Sequence, residues 1–315
     1  MLTYANLKTK PKEFLSATGL QVAEFDRLLP VFSAAYRVIY PATQTFQGQP
    51  RQRAVGGGRK GVLHEMADKL LFILVYEKTY PLQTMQGLHF GLSQSRTNHW
   101  VHHLLPVLRQ ALAQLDLTPE RDARHLAQRL NRSPAPADLV LDGTERRRQR
   151  PLNPARQVAH YSGKKKAHTD KNLLLVNGAL DQVLYLSPTE QGKSHDKKLA
   201  DQQPFNYPTA TTLGKDTGFQ GYEPDHVFTF QPKKKPKGQE LDLFDKFFNR
   251  IFSASRIQVE HTLAGVKRCR IVKDVLRNTK TGFSDLVMEV ACALHNFRVQ
   301  CRHPLPTLNL LDLCT

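Results

Sequence analysis

Between Leu20 and Tyr40 apolar residues recur at three- and four-residue intervals, the spacing of one buried helical face, and the run stops at Pro41. After residues 42–61, rich in Gln, Gly and Arg and read as a flexible basic linker, a second helical run covers 63–78. Pro81 is placed to open a third helix as its first residue, ending at Gly91. Ser93 is placed to cap a longer helix through residue 115, which Pro106 is expected to kink or break. The turn-rich segment 131–138 closes this helical region, and the periodicity then changes. Leu139–Leu141 is a short buried-strand signal running into Asp142-Gly143-Thr144-Glu145. Two strand-like runs flank Asn177-Gly178, a strong hairpin signal. A helical stretch (194–203), weaker strands near 209–218 and 226–230, and a long amphipathic helix from Glu240 to Arg270 complete the series. Three strands, a helix, two strands and a long helix predict a mixed sheet with helices on its faces, an α/β class, preceded by an all-α domain.

Composition narrows the picture. The 315 residues carry 45 Lys plus Arg against 28 Asp plus Glu, a net charge of +17, with pI near 9.8. That balance makes a polyanion, most often nucleic acid, the expected partner. An apolar content of 40% excludes wholesale disorder. The longest apolar run, Leu70 to Tyr76, is far short of the roughly 20 residues of a membrane span. The N-terminal residues lack the apolar core of a signal peptide. The four cysteines include no C-x-x-C pair, and Cys292 lies in an apolar helical run where a core role outweighs a zinc site with His295, Cys301 and His303.

Three helices with a Gly-containing corner between the last two form a helix-turn-helix pattern. Gln94, Ser95, Arg96, Asn98 and His99, just past Ser93, would then face the major groove, and each can bond a base edge. The same spacing suits a plain three-helix bundle with a solvated helix start; the basic charge favours DNA.

Asp142 follows three apolar residues and is expected at or near a strand end, fixed yet reaching solvent. Asp216 occupies a similar position before a Gly-containing turn. Glu260 lies on the long helix, on one face with Arg256 and Lys267. Three carboxylates from separate elements are what two divalent cations roughly 3.5–4 Å apart require, with Mg²⁺ preferring such oxygen donors. Taken singly, each residue also suits a turn cap or a surface ion pair.

The segments DGTERRRQRP, YSGKKKAHTDKN, SHDKKLAD, DTGFQGYEP and FNRIFSASRIQVEHTLAGVKRCRI occur in that order. Together they resemble the DDE transposases of bacterial insertion sequences, in the IS-five-type subgroup related to Harbinger elements, from about residue 62 to 299. The resemblance implies an RNase H-like five-stranded mixed sheet with flanking helices, and Asp142, Asp216 and Glu260 as catalytic and metal-binding triad. The spacings are 216 − 142 = 74 and 260 − 216 = 44. It further implies two Mg²⁺ (or Mn²⁺) ions and double-stranded DNA bearing terminal inverted repeats as substrate, with target DNA. A homodimer or larger assembly in the bacterial cytoplasm, at the nucleoid, is implied as well. Ser253 stands where the family signature usually carries Tyr. Asp196 rivals Asp216 as second ligand; Glu145 is a weaker rival, expected beside the site or holding a nearby Arg. His168, Lys164–Lys166 and Lys233, Lys234 and Lys235 are candidate phosphate contacts, with Arg256 and Lys267 beside the triad. The expected domains are 1–61 (helical segment and linker), 62–130 (helix-turn-helix), 138–303 (catalytic) and 304–315 (tail). Two other functions suit parts of this pattern: a catalytically silent DNA-binding regulator derived from a transposase, and an RNA-processing nuclease on the same fold.

Overall fold

Alternation along the strand beginning at Asp138 sets the layers of the molecule. Leu139 and Leu141 point into one apolar core and Val140 into another, so a single strand divides two packed layers. The computed structural model describes residues 1–45, 48–52, 61–131, 138–208, 211–233 and 240–303; of 131, 138, 245, 247–248 and 250–256 it describes the backbone alone. The strands are β1 (Asp138–Arg147), β2 (Tyr161–Ser162), β3 (Ala167–Asn177), β4 (Gln182–Leu186), β5 (Glu190–Gln191), β6 (Thr211–Lys215) and β7 (Val227–Phe230). β3 pairs antiparallel with β1 and, at separate stretches, with β4, β5 and β2. β1, β6 and β7 run parallel. The main order is therefore β4-β3-β1-β6-β7, the RNase H-like arrangement, with two-residue strands β2 and β5 added along β3.

The helices are α1 (Tyr4–Leu7), α2 (Pro11–Thr18), α3 (Val22–Ile39), α4 (Met66–Thr79), α5 (Gln83–Phe90), α6 (Gln94–Gln114), α7 (Leu126–Asn131), α8 (Pro154–His160), α9 (Asp196–Asp201), α10 (Leu243–Val266), α11 (Arg270–Lys273) and α12 (Phe283–Arg302). The apolar run 70–76 belongs to α4, which is buried on every side from Lys69 to Glu77 and forms the axis of the helical layer. One core joins α2–α6 to α10–α12 and to the Val140 face of the sheet. The smaller core lies on the other face, under α7 and α9. Polar anchors fix the layers: the buried Asn296 on α12 accepts from the Val183 N–H and donates to the carbonyls of Val183 and Leu117, each at 2.9 Å. Arg302 pairs with Glu24 at 2.7 Å, and Arg109 with Glu289 at 2.8 Å. Cys292 is wholly buried among these apolar side chains. No helix among the described residues is long and apolar enough to cross a membrane.

Three local expectations change. α6 runs unbroken through Pro106, because Leu104, Leu105, Val107 and Leu108 are all buried and hold both halves in one groove. α5 begins at Gln83 rather than at Pro81: Tyr80 is left-handed (φ 44°), and Leu82 is the extended cap. The Asn177-Gly178 hairpin closes through four residues, since the Asn177 side chain accepts from Ala179 N–H at 3.1 Å and opens the turn. Half of the 42–61 stretch and all of 304–315 lie outside the described residues; Gln44 and Pro50 in the former make an antiparallel bridge.

Glu77 on α4 is fully buried, and neither carboxylate oxygen has a hydrogen-bond partner. Burial pushes its pKa well above 4.5, so the folded protein keeps the proton that the unfolded chain releases. Stability should therefore fall as pH rises above the unfolded value near 4.5, until the folded pKa is reached. Glu77→Gln is expected to match the wild type near pH 4 and to exceed it in melting temperature at pH 8; parallel curves across that range would contradict this.

Candidate active site and nucleic-acid surface

The register Leu141↔Lys215 is the last step of the parallel pairing between β1 and β6. Asp142 and Asp216 are the next residue on each chain, with Asp142 on the Val140 face by alternation. Asp142 is not at a strand end, as its sequence context suggests. β1 continues to Arg147 against β3, and what ends beside Asp142 is its other neighbour. Each carboxylate is oriented by the N–H after it: Asp142 Oδ1 accepts from Gly143 at 2.8 Å, and Asp216 Oδ1 from Thr217 at 2.6 Å. Asp216 thereby caps a short 3-10 turn, Thr217–Phe219. The strand leading to it is firmer than its composition suggests, because Lys215 is wholly buried and its ammonium is held by the Tyr222 carbonyl and the Glu223 carboxylate.

α10 packs on the same side of the sheet through Val259, Leu263 and Val266. Lys267, just past its end, is half-buried; burial pushes its pKa down, Asp142 pulls it up, and Lys165 and Arg146 lower it further. Lys267 and Asp142 are thus within electrostatic reach of each other. Glu260 is exposed on α10, two turns before Lys267. Among the described residues, no group of three His, Cys, Asp or Glu side chains draws together closely enough to hold a metal ion. The register puts Asp142 and Asp216 one residue past the last paired step of neighbouring strands, and Glu260 is exposed on α10. Arg256 lies on α10 with its side chain, like that of Ser253, outside the described residues.

Asp196 opens α9 on the opposite face. A Cβ on Gly143 would meet Asp196 Oδ1 at 2.6 Å, and one on Gly218 would meet Oδ2 at 3.0 Å. This carboxylate therefore presses against the residue after Asp142 and the second residue after Asp216. Its counter-ion is Lys171, with Nζ 3.0 Å from Asp196 Oδ1 and 3.5 Å from Glu145 Oε1, and donating to the Ser194 carbonyl at 2.7 Å. Glu145 was expected beside the site or on an arginine; the cross-strand register Glu145↔Lys171 gives it a lysine, and Thr169 adds a hydroxyl donor at 3.2 Å. Lys171 and the two glycines escape sequence reasoning, although a lysine heading the apolar run Leu173–Val176 was a signal of a buried cation. Arg146 was missed too: it is buried, donating to Ser284 O, Asn172 Oδ1 and Thr189 Oγ1 at 2.7–3.2 Å.

At the start of α6, Ser93 caps the Arg96 N–H, and Gly91 turns the α5 end left-handed (φ 66°). Gln94, Ser95, Arg96 and His99 are exposed. Gln94 and the partly buried Asn98 donate to Gln83 Oε1 on α5, at 2.7 and 3.3 Å. The corner also meets the chain after α11: Arg277 donates to the carbonyls of Tyr80 and Pro81, each at 2.8 Å, and lies 4.1 Å from the Tyr80 ring centre. Lys164, Lys165 and Lys166 are exposed on the turn before β3, with Lys166 left-handed (φ 48°). His168 is half-buried, its ring edge-on to Tyr161 at 5.7 Å. Lys233 is exposed; Lys234 and Lys235 lie outside the described residues.

The segment that carries Asp142, Asp216, Glu260 and Lys267 is also the one that a known family matches. Residues 141–296 match the family described as DDE superfamily endonuclease. The chain is also similar to a probable transposase for insertion sequence element IS702 from Microchaete diplosiphon, 27% identical over 233 residues that cover 74% of this chain and 80% of the relative. Both findings support the resemblance to insertion-sequence DDE transposases. No solved structure matches.

Adding a methyl at Gly143 would force Asp196 and α9 away from β1. Gly143→Ala is expected to cost about 1–3 kcal/mol in urea unfolding. Combined with Asp196→Ala, the loss should be less than the sum of the two single effects, because the clash is gone. Additive losses would show that the carboxylate does not press on this glycine.

Proposed function

We propose that the chain is a transposase that cuts DNA at the ends of an insertion sequence and joins the exposed 3′-hydroxyl to target DNA, using Asp142, Asp216 and Glu260. The observation carrying this reading is the register Leu141↔Lys215, after which Asp142 and Asp216 are the next residues of two neighbouring strands. Two carboxylates with oxygen donors alone suit a hard divalent cation, Mg²⁺ or Mn²⁺, and Glu260 is the third donor by its place on α10. Cations held there supply charge neutralisation at the scissile phosphate and a lower pKa for the attacking hydroxyl, with two ions dividing these tasks. The rest is work of the chain itself. Backbone N–H groups after each aspartate fix one oxygen and so the direction of the other. Lys267, half-buried and near Asp142, is set to hold a phosphate beside the carboxylates. Gln94, Ser95, Arg96 and His99 are the exposed part of the α6 reading surface, with Gln94 and the partly buried Asn98 bonded to Gln83. Lys164–Lys166 flank the path toward Asp142, and His168 and Lys233 are further candidates for backbone contact. Arg256, Lys234 and Lys235 keep that role as candidates from sequence. Two ends must be held together, so the working form is a homodimer or larger assembly on DNA. The division into a helix-turn-helix unit (62–130) and a catalytic unit (138–303) describes these two tasks.

The deciding experiment incubates purified protein with DNA carrying the element's terminal repeats, with and without Mg²⁺ or Mn²⁺. Nicking and strand joining should require the metal. Asp142→Ala, Asp216→Ala and Glu260→Ala should each reduce cleavage to background while leaving DNA affinity nearly unchanged. Cleavage that survives Asp216→Ala but is lost in Asp196→Ala would move the second ligand to α9. Sequence-preferring DNA binding with no cleavage under any metal would make the chain a silent regulator.

A further inference from the structure

On the far side of α10 from the sheet lies a second cavity of about 380 Å³, formed where α10 crosses α12 beside the turn after β3. Its wall carries Arg268, Arg298 and Arg302 together with His261, His295 and His303. Acidic groups there are Asp181 and, through Arg302, Glu24. Both are already engaged. Glu24 accepts from Arg302 at 2.7 and 3.0 Å and from the Gln21 N–H at 2.7 Å. The Asp181 carboxylate accepts from the Thr262 hydroxyl, and its carbonyl lies 2.8 Å from His295 Nε2. With Arg302 paired to Glu24, Arg268 and Arg298 outnumber the one remaining lining carboxylate, Asp181, and the wall stays net positive.

The cluster is built into the fold. Arg298 is only 4% exposed and donates to the Gly265 carbonyl at 2.7 Å. His295 is equally buried and lies so close to Gly265 that a side chain there would overlap its ring. Arg268 and Arg302 both depress the pKa of Arg298, after burial. Burial, then Arg298, push His295 down to about 4, with Arg268 lowering it further and Asp181 opposing, so the ring is neutral at pH 7. Cations packed closely enough to repel one another favour any anion that enters between them.

We propose that this cavity binds a phosphate group of the DNA backbone, with Arg268 at the mouth and Arg298 in the wall. The proposal rests on DNA being the substrate, as proposed above, and adds a contact outside the carboxylate site. Arg268, being exposed, can be changed without opening the core.

The test needs no metal and no cleavage, so it fails independently of the catalytic reading. Inorganic phosphate is titrated into the full chain, and the thermal midpoint of the wild type is compared with Arg268→Glu and with Lys273→Glu, an exposed control of equal charge change on α11. Phosphate should raise the midpoint of wild type and Lys273→Glu, and raise that of Arg268→Glu much less. For duplex DNA, Arg268→Ala should flatten the dependence of log affinity on log salt by about 0.9, the loss of one phosphate contact. Equal phosphate response in Arg268→Glu and Lys273→Glu overturns the site. Loss of the phosphate response with an unchanged DNA salt dependence overturns its assignment to DNA and leaves a pocket for a free anion.

Discussion

The parallel pairing of β1 with β6, and the point at which it stops, governs the rest of the structure. Up to Leu141↔Lys215 the two strands share main-chain hydrogen bonds and present apolar side chains to both layers. Beyond it β6 ends, and the next residue on each chain is an aspartate. Because successive side chains of β1 alternate, the carboxylate on one face has a glycine as its neighbour on the other. That glycine is the only residue small enough to admit Asp196 from α9. The sheet thus carries acidic groups on both sides of one strand. The buried Lys171 offsets those on the α9 face, and Lys267 lies near Asp142 on the α10 face.

The helical layer is less separate from the sheet than its position in the chain implies. A single apolar core runs from α2 through α6 into α10–α12 and onto the sheet. Directional bonds reinforce it where helices from distant parts of the chain meet, as Asn296 does between α12 and β4 and Arg302 between α12 and α3. Such bonds specify position where apolar contact alone would allow sliding, since each leaves an unsatisfied buried group if the helices shift.

Much of this was legible in the sequence, and the reasons are physical. Strand and helix order followed from periodicity, because a strand buried on both faces reads as an unbroken apolar run and a surface helix reads as a stripe. Helix ends marked by Ser93 and Gly91 fell where predicted, since capping is local chemistry. What failed were inferences needing a partner strand or helix. Pro106 breaks an isolated helix but not one clamped along its length, and Asp142 looks terminal until β3 is known to continue beside it. The register Leu141↔Lys215, which brings the strands leading to Asp142 and Asp216 next to each other, is long-range and spacing along the chain does not contain it. The buried cations Lys171, Lys215 and Arg146 were hidden for the same reason: each is satisfied by groups remote in sequence, or across a turn that sequence leaves undefined.

The clasp of Arg277 on Tyr80 and Pro81 has a consequence for how far apart two events on DNA must be. It fastens the chain after α11 to the corner that opens α5, and α12 packs along α6 from behind. Under the proposed function, in which the start of α6 reads DNA and the site beside β1 cuts it, the interval between the sequence read and the bond broken is a dimension of the folded body. On that reading it would serve as a ruler set by the packing of α12 on α6.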